Sequence, residues 1–252
     1  MSEHSRTERQ LAARLEIVHE DERLLVLNKP ADLVCHPTKT DAWSSLIGRV
    51  RLYLRDDATV HMVNRLDRET SGLVLVAKTD AFALALRRRW ESRAVAKEYQ
   101  AIVHGWPSAD EGLIDEPLGR DEASRVAIKD CVRADGASSE TAFAVERRFL
   151  RSEGRFALLT VTPRTGRKHQ IRIHLAHIAH PVVGDKLYGH DEECYLALVE
   201  SRLTAEQRQR LLLPNHALHA GRLRFEIAGE AHEYVAGPDE AFRRFCAEGI
   251  GA

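Results

Sequence analysis

A single carboxylate between two arginines is the first feature of the sequence with catalytic chemistry. Asp67 lies between Arg65 and Arg68 in a polar segment that precedes the apolar run LVLVA at 73–77. A nearby guanidinium favours the ionised form of a carboxylate, which suits a nucleophile or a base. Loops held by rigid strands commonly carry catalytic groups. A surface Asp–Arg pair that closes a turn is the plainer interpretation of this segment taken alone.

A basic segment later in the chain offers the complementary charge. The stretch from Gly154 to Gly184 contains no acidic residue, but it carries Arg155, Arg164, Arg167, Lys168 and Arg172. Arginine presents a planar fork of donors that binds either phosphate oxygens or a carboxylate. The segment is therefore a candidate phosphate-binding patch, and a solvated basic face is the alternative.

Four histidines in the same segment raise the question of a metal site. His174 and His177 share a face of a predicted helix, whereas His180 drifts away from it and precedes a proline that ends the helix. Neither an H-E-x-x-H pattern nor a cysteine partner accompanies them or the nearby His169. We expect no metal.

The elements that must position these segments are strands and helices without an internal repeat. Strand patterns occupy 15–19, 23–28, 73–77, 94–104, 140–150, 155–162, 222–227 and 232–235. Helical spacing occupies 44–54 with Ser44 or Ser45 as N-cap, 80–90 with Asp80 as N-cap, 169–179, about 204–213, and the stretch from about 238. Adjacent strand pairs predict an α+β fold with a mixed, largely antiparallel sheet and flanking helices. We expect a single domain over 1–252, with 1–13 as a flexible extension.

Composition sets further bounds on the function. The 252 residues include 37 Lys plus Arg against 38 Asp plus Glu, so net charge alone does not predict nucleic-acid binding. Four scattered cysteines form no C-x-x-C pair. Neither a signal peptide nor a bilayer-length apolar run is present. We expect a reduced, cytoplasmic protein, and nothing in the sequence requires more than a monomer.

Two strings together give a more specific indication. N-R-L-D-R-E-T-S-G at 64–72 and G-R-K-H-Q-I-R-I-H-L at 166–175 resemble the RluA-type family of pseudouridine synthases. Supporting matches occur in the family's order: N-K-P at 28–30, K-E-Y-Q-A-I-V-H-G at 97–105, H-P-V-V-G-D-K-L-Y-G at 180–189 and L-H-A at 218–220. The resemblance implies a mixed β-sheet with a central RNA-binding cleft. It also implies an enzyme that detaches uracil from C1′ of a uridine in tRNA or rRNA and rejoins it through C5, without a metal or organic cofactor.

The resemblance also implies a role for individual residues. The family's invariant aspartate falls on Asp67, and the arginine that holds it falls on Arg167. The tyrosine that packs on the target base falls on Tyr99. The arginine that enters the space left by the flipped nucleotide falls on Arg65, and the apolar position beneath the base falls on Ile171. Asp67 then reacts either covalently or by moving protons.

The chain departs from the family's strings at two positions. Asn64 stands where many relatives carry His, and Lys168 stands where Thr or Ser is common. We expect both, together with Arg172, to contact the substrate. Many relatives carry an N-terminal S4-type RNA-binding domain, whereas this chain starts almost directly at the catalytic region. RNA recognition is therefore expected from the catalytic domain, including the arginines at 87–89 and 93.

Two other functions compete with isomerisation. A catalytically silent RNA-binding module would use the same cleft, but it has no need for a buried charge pair. A hydrolase built on Asp67 and nearby histidines predicts free uracil or cleaved RNA as its product.

Overall fold

The described chain divides into two units. The computed structural model describes residues 15–37, 44–55 and 59–251. Unit 1 consists of the described parts of Met1–Lys97 and Ala220–Pro238, and unit 2 consists of those of Glu98–His219 and Asp239–Ala252. The extension predicted at 1–13 lies outside the described residues, and a single catalytic domain over the whole chain stays a prediction.

Runs of consecutive strands are separated by one or more helices. The strands are β1 (Glu16–Glu20), β2 (Leu24–Lys29), β3 (His61–Met62), β4 (Ser71–Ala77), β5 (Ala96–His104), β6 (Glu111–Asp115), β7 (Leu118–Arg120), β8 (Asp130–Val132), β9 (Glu140–Arg151), β10 (Gly154–Pro163), β11 (Leu218–Ile227), β12 (Glu230–Val235) and β13 (Ile250–Gly251). The helices are α1 (Leu46–Leu54), α2 (Asp80–Glu91), α3 (Gln170–His177), α4 (Glu193–Val199), α5 (Ala205–Leu211) and α6 (Glu240–Ala247).

The sheet of unit 1 is buried on both faces. Strand β2 pairs antiparallel with β1 and β4, β3 pairs antiparallel with β4, and β11 lies beside β4 and pairs antiparallel with β12. Because side chains alternate along a strand, Leu24 and Val26 pack in the cluster of α2, while Leu25 and Leu27 pack in the cluster of α1. Each such burial contributes about 1.5–3 kcal/mol. This double burial makes β4 a rigid base for the loop that precedes it.

The helices of unit 1 begin at capping residues. The side chain of Ser45 accepts a hydrogen bond from the backbone N–H of Gly48, which confirms one of the two predicted caps of α1. The cap of α2 is Thr79, whose side chain accepts from Phe82 N. The prediction of Asp80 as cap is wrong by one residue. Asp80 is instead the first helical residue, where a carboxylate is favoured by the helix dipole.

Unit 2 is built on a second set of strands. Strands β5, β10, β9 and β13 lie side by side in that order, and β6 also pairs with β9. Strands β7 and β8 form a separate pair. All of these pairs are antiparallel. Helix α3 adds Ile171 and Leu175 to the core of this unit, and α6 adds Phe242 and Phe245. The α+β class and the largely antiparallel sheet are confirmed. Helix α4 was not predicted from the sequence.

Candidate active site

The loop that carries Asp67 connects β3 to β4 in unit 1. Its turn is closed by a hydrogen bond from Thr70 N to Asp67 O at 3.2 Å. Gly72 then enters β4 with φ +116°, and a Cβ atom there would lie 2.4 Å from the carbonyl oxygen of Ala220. Only glycine fits this close approach. The sequence T-S-G thus determines where the loop ends and the strand begins.

The side chain of Asn64 fixes the start of the same loop. It is buried, its Nδ2 donates to Leu73 O at 3.1 Å, and its Oδ1 accepts from Leu75 N at 2.8 Å. The amide therefore continues the β3–β4 ladder beyond the last residue of β3. The structure gives Asn64 a structural task that the sequence does not suggest, and its contact with substrate stays a prediction.

The segment after β2 contacts the other side of the Asp67 loop. Cys35 Sγ accepts from Leu66 N at 3.4 Å and donates to Leu66 O at 3.5 Å. The guanidinium Nε of Arg68 donates to Asp32 Oδ1 at 2.7 Å. The backbone around Asp67 is thus held from the side of Asn64 and from the side of Cys35, while Asp67 itself is half-buried and Arg65 is exposed.

The Arg167 loop of unit 2 is organised by one buried amide. Gln170, the first residue of α3, accepts at Oε1 from Thr165 Oγ1 at 2.7 Å and from Arg167 N at 3.0 Å. Its Nε2 donates to Glu140 O at 2.9 Å and to Thr141 Oγ1 at 3.0 Å. These bonds tie the loop to β9. His169, just before the helix, has φ +55° and its Nδ1 lies 3.0 Å from Tyr188 Oη.

Arg167 and Lys168 of this loop are both exposed. Arg167 donates through Nε to Ser138 O at 3.3 Å. Lys168 forms an ion pair with Asp130, with Nζ and Oδ2 2.9 Å apart. Both side chains are on the surface where a phosphate or a carboxylate can reach them. An exposed pair of this kind adds at most about 1 kcal/mol to stability, so Asp130 can release Lys168 to a ligand.

The two residues predicted on α3 are buried. Ile171 belongs to the core of unit 2. Arg172 forms two bonds with Asp185, Nε to Oδ2 at 2.7 Å and a terminal nitrogen to Oδ1 at 2.9 Å. Burial alone would raise the pKa of Asp185, but the Arg172 guanidinium holds that pKa well below its usual range. Arg172 is therefore engaged in an internal ion pair, and its contact with RNA stays only a prediction.

Tyr99 lies on β5 opposite Val161 of β10 and is half-buried against the core of unit 2. Unit 1 thus places Arg65 and Asp67 on one loop, and unit 2 contains Tyr99, Arg167 and Lys168. The pairing of Asp67 with Arg167 joins residues of different units and stays a prediction.

The four clustered histidines have separate environments. His174 lies between Thr141 Oγ1 and Glu116 O, His180 bonds His104 O through Nδ1, and His177 is exposed. Within the described ranges, no group of three His, Cys, Asp or Glu side chains has a metal-binding arrangement. In the same ranges, no helix has both the length and the apolar character needed to span a bilayer.

Residues 23–177, which include both loops, match the family described as RNA pseudouridylate synthase. The chain belongs to this family. Its RNA pseudouridylate synthase relatives include "Ribosomal large subunit pseudouridine synthase D" of Zymomonas mobilis, 35% identical over 229 residues that cover 88% of this chain and 68% of the relative. An uncharacterized RNA pseudouridine synthase of Bacillus subtilis is 34% identical over 230 residues, with the same two coverages.

Solved structures agree with the family. The protein described as human RNA pseudouridylate synthase domain containing 1 superposes with a TM-score of 0.74 at 27% identity, over 96% of this chain and 90% of that chain. The predicted family is therefore confirmed. The pseudouridine synthase described here is an isomerase that converts uridine in RNA to pseudouridine.

Sequence reasoning missed two residues of this region. The sequence indicates Lys29 only as part of the N-K-P string at 28–30, and it does not predict that this side chain is fully buried. Gln170 was not singled out, although an amide directly after a basic loop is a signal for a loop anchor. Their contacts are visible only in the folded chain.

Proposed function

We propose that this pseudouridine synthase uses Asp67 as its reacting carboxylate and acts on uridines of large-subunit ribosomal RNA. The observation that supports this role of Asp67 is the way in which its loop is held in place. The carboxylate is half-buried on a short loop that the buried side chain of Asn64 anchors to β4 and that the buried side chain of Cys35 binds at the backbone of Leu66. A reacting group held within a fraction of an ångström loses little entropy on reaching its transition state.

Base flipping gives Arg65 and Tyr99 roles in the proposed reaction. A uridine must leave the stack before its glycosidic bond is accessible, and unstacking costs a few kcal/mol. Arg65, exposed two residues before Asp67, is long enough to fill the vacated space. Tyr99 supplies a ring for the flipped base, and such stacking contributes about 1–3 kcal/mol.

Arg167 completes the proposed set. Its exposed guanidinium favours the ionised form of a carboxylate that it meets, and a two-pronged contact also sets that carboxylate's direction. Arg164 pairs with Glu140 and Lys168 pairs with Asp130, so Arg167 is the cation of this loop that is not paired with a described carboxylate.

The choice of ribosomal RNA is supported by the relatives. Several relatives that align with almost nine-tenths of this chain are named for the large ribosomal subunit, in Zymomonas mobilis, Haemophilus ducreyi and Vibrio cholerae. Transfer RNA is the alternative substrate, and the two are separated by assaying each RNA in its unmodified form.

The arginines at the end of α2 are proposed as part of the RNA path. Arg87, Arg88 and Arg93 are exposed and Arg89 is half-buried, and none of the four forms an ion pair with a described carboxylate. Arg93 also adopts φ +58°, a conformation that favours glycine at the end of a helix. Arginines without an ion pair are expected where phosphates bind. A strained backbone, as at Arg93, is also common at functional sites.

The decisive experiment compares wild type with Asp67→Asn on ribosomal RNA that lacks pseudouridine. We expect no product from the variant and an RNA affinity within about tenfold of wild type, because phosphate contacts dominate binding. Asp80→Asn, which changes an exposed carboxylate of the same unit, serves as the matched control and retains turnover. A variant of Asp67 that keeps most of its turnover contradicts the assignment. A wild type that binds RNA but makes no product indicates a catalytically silent RNA-binding module. Free uracil as the product indicates a hydrolase.

A further inference from the structure

Lys168 is one of the two positions at which the chain departs from the family's strings, and the structure gives it an acidic partner. Its Nζ lies 2.9 Å from Oδ2 of Asp130, the first residue of β8. The side chain of Lys168 is 48% exposed, whereas that of Asp130 is 19% exposed. Because a lysine side chain has a flexible four-carbon stem, the ammonium is the member of this pair that can move.

The backbone of Asp130 is held in place from the side of Tyr188. The N–H of Asp130 donates to Tyr188 Oη at 3.3 Å, and the same Oη lies 3.0 Å from His169 Nδ1. Asp130 also faces Arg120 in the β7–β8 ladder. The N–H of Tyr188 donates to the buried carboxylate of Asp185 at 3.0 Å. Asp130 is therefore fixed independently of Lys168, and it keeps its place when the ammonium turns away.

Lys129, the neighbour of Asp130 in the chain, forms a stronger set of contacts. Its Nζ lies 3.0 Å from Glu192 Oε2 and 3.4 Å from Asp121 Oδ2, and its side chain is 22% exposed. Hydrogen bonds from Ser124 and Lys129 lower the pKa of Glu192 to about 2. Among the described residues, Lys168 contacts a single carboxylate and is about twice as exposed. The pair of Lys129 is thus structural, whereas that of Lys168 is easily exchanged.

The Arg167 loop presents more positive charge when Lys168 leaves Asp130. Arg164 is paired with Glu140 at 3.3 Å, whereas Arg167 bonds a backbone carbonyl and no described carboxylate. An exposed ion pair is weak because water and salt screen it. Phosphate oxygens accept from an ammonium as carboxylate oxygens do. A phosphate beside Arg167 therefore competes with Asp130 for the same ammonium.

We propose that Asp130 occupies the phosphate site of Lys168 in the free enzyme and that a phosphate of the substrate RNA displaces it. Lys168 is then a phosphate contact that forms only on binding, and Asp130 is a competitor that lowers RNA affinity. An RNA that places no phosphate at Lys168 leaves the ion pair closed and gains nothing from it. This role rests on the proposed contact of Lys168 with RNA, and it does not depend on the reaction of Asp67.

The test measures the RNA affinity of Asp130→Asn, which keeps the size of the side chain and removes its charge. We expect Asp130→Asn to bind a large-subunit ribosomal RNA transcript about fivefold more tightly than wild type, because the phosphate no longer has to break an ion pair. Lys168→Met is expected to bind more weakly, with a salt dependence that is shallower by about one ion. Filter binding over a range of salt concentrations measures both effects.

The double variant Asp130→Asn with Lys168→Met separates competition from general repulsion of RNA. If Asp130 acts through Lys168, removal of its charge changes the affinity by less than about twofold once Lys168 is absent. The matched control is Asp121→Asn, on the same hairpin and also 19% exposed, where Lys129 keeps its contact with Glu192. We expect its affinity and its turnover to stay within about twofold of wild type.

Three results overturn the competition. They are an unchanged or weaker affinity of Asp130→Asn, a tightening that persists without Lys168, and a tightening of equal size in Asp121→Asn. The proposed reaction fails in a different way, because an Asp67→Asn variant that makes pseudouridine leaves all of these affinities as they are. A tightening with a transfer RNA transcript and none with ribosomal RNA corrects the proposed substrate and supports the competition.

Discussion

The Asp67 loop and the Arg167 loop are held in place by different chemistry. A buried ammonium, that of Lys29, binds the loop that carries the carboxylate. A neutral buried amide, that of Gln170, binds the loop that carries the guanidinium. A cation beneath the Asp67 loop attracts the Asp67 carboxylate, whereas a cation beneath the Arg167 loop would repel Arg167. Each support thus matches the charge of the proposed site residue that its loop carries.

This difference predicts different responses to pH. The support of the Asp67 loop titrates, because burial lowers the pKa of Lys29 to about 8. The support of the Arg167 loop does not titrate near neutral pH. Gln170 and Thr141 carry no ionisable proton in this range, and burial lowers the pKa of His174, which keeps its ring neutral against Thr141.

The largest effect is expected from replacing Gln170, the neutral side chain that holds the Arg167 loop. Gln170→Met removes the buried acceptor of the Arg167 backbone N–H and one of the two donors to the Glu140 carbonyl, which keeps the backbone N–H of Arg164. We expect unfolding free energy to decrease by about 2–4 kcal/mol and turnover to decrease by about a hundredfold. The decrease in turnover has the same factor at pH 7 and at pH 9. Urea unfolding and single-turnover assays at both pH values measure it.

The control for this prediction is Gln207→Met. Gln207 accepts one exposed hydrogen bond from Thr204 N in the capping box of α5, so its replacement costs about 1 kcal/mol and no turnover. A Gln170 variant whose loss of turnover depends on pH contradicts the contrast between the two supports.

The next effect concerns the stability of unit 1 in alkali. The pKa of Lys29 is about 8 in the folded chain and returns to the ordinary lysine value of 10.5 on unfolding. Between these values the unfolded chain binds more protons than the folded chain, so the contribution of Lys29 makes the fold more stable as pH rises. The gain is at most about 3 kcal/mol.

Urea unfolding of wild type and Lys29→Met at pH 7 and pH 10 isolates this contribution, because other lysines and tyrosines contribute equally to both proteins. We expect the wild type to gain stability relative to the variant as pH rises from 7 to 10. Identical pH dependence in the two proteins shows that Lys29 keeps an ordinary pKa.

The smallest expected effect concerns RNA binding by the exposed arginines of α2 in unit 1, compared with the arginines of α6 in unit 2. Arg87→Glu combined with Arg88→Glu is expected to weaken RNA binding by about tenfold and to make its salt dependence shallower by about two ions. The control is Arg243→Glu with Arg244→Glu on α6, where Arg244 already pairs with Glu240. Equal affinity of the α2 variant and wild type at every salt concentration places the RNA path elsewhere.

Local sequence was sufficient for most of the fold. The continuous apolar runs of β2 and β4 predict strands, since a strand buried on both faces of a sheet needs apolar side chains on both faces. The polar segment at 65–72 and the basic segment at 163–168 predict loops around Asp67 and Arg167, and the structure confirms that both residues lie outside helices and strands. The N-cap of α2 was misassigned by one residue because Thr79 and Asp80 are both good caps, and only the backbone conformation distinguishes them.

The partners of the polar side chains were decided only by tertiary structure. The ammonium of Lys29 reaches a carbonyl 39 residues away, and the amide of Gln170 reaches Glu140 O 30 residues away. Arg172 and Asn64 carried an expectation of substrate contact, yet the fold gives them Asp185 and the backbone of β4. A sequence lists which groups can donate and accept, but burial and distance determine which of them meet.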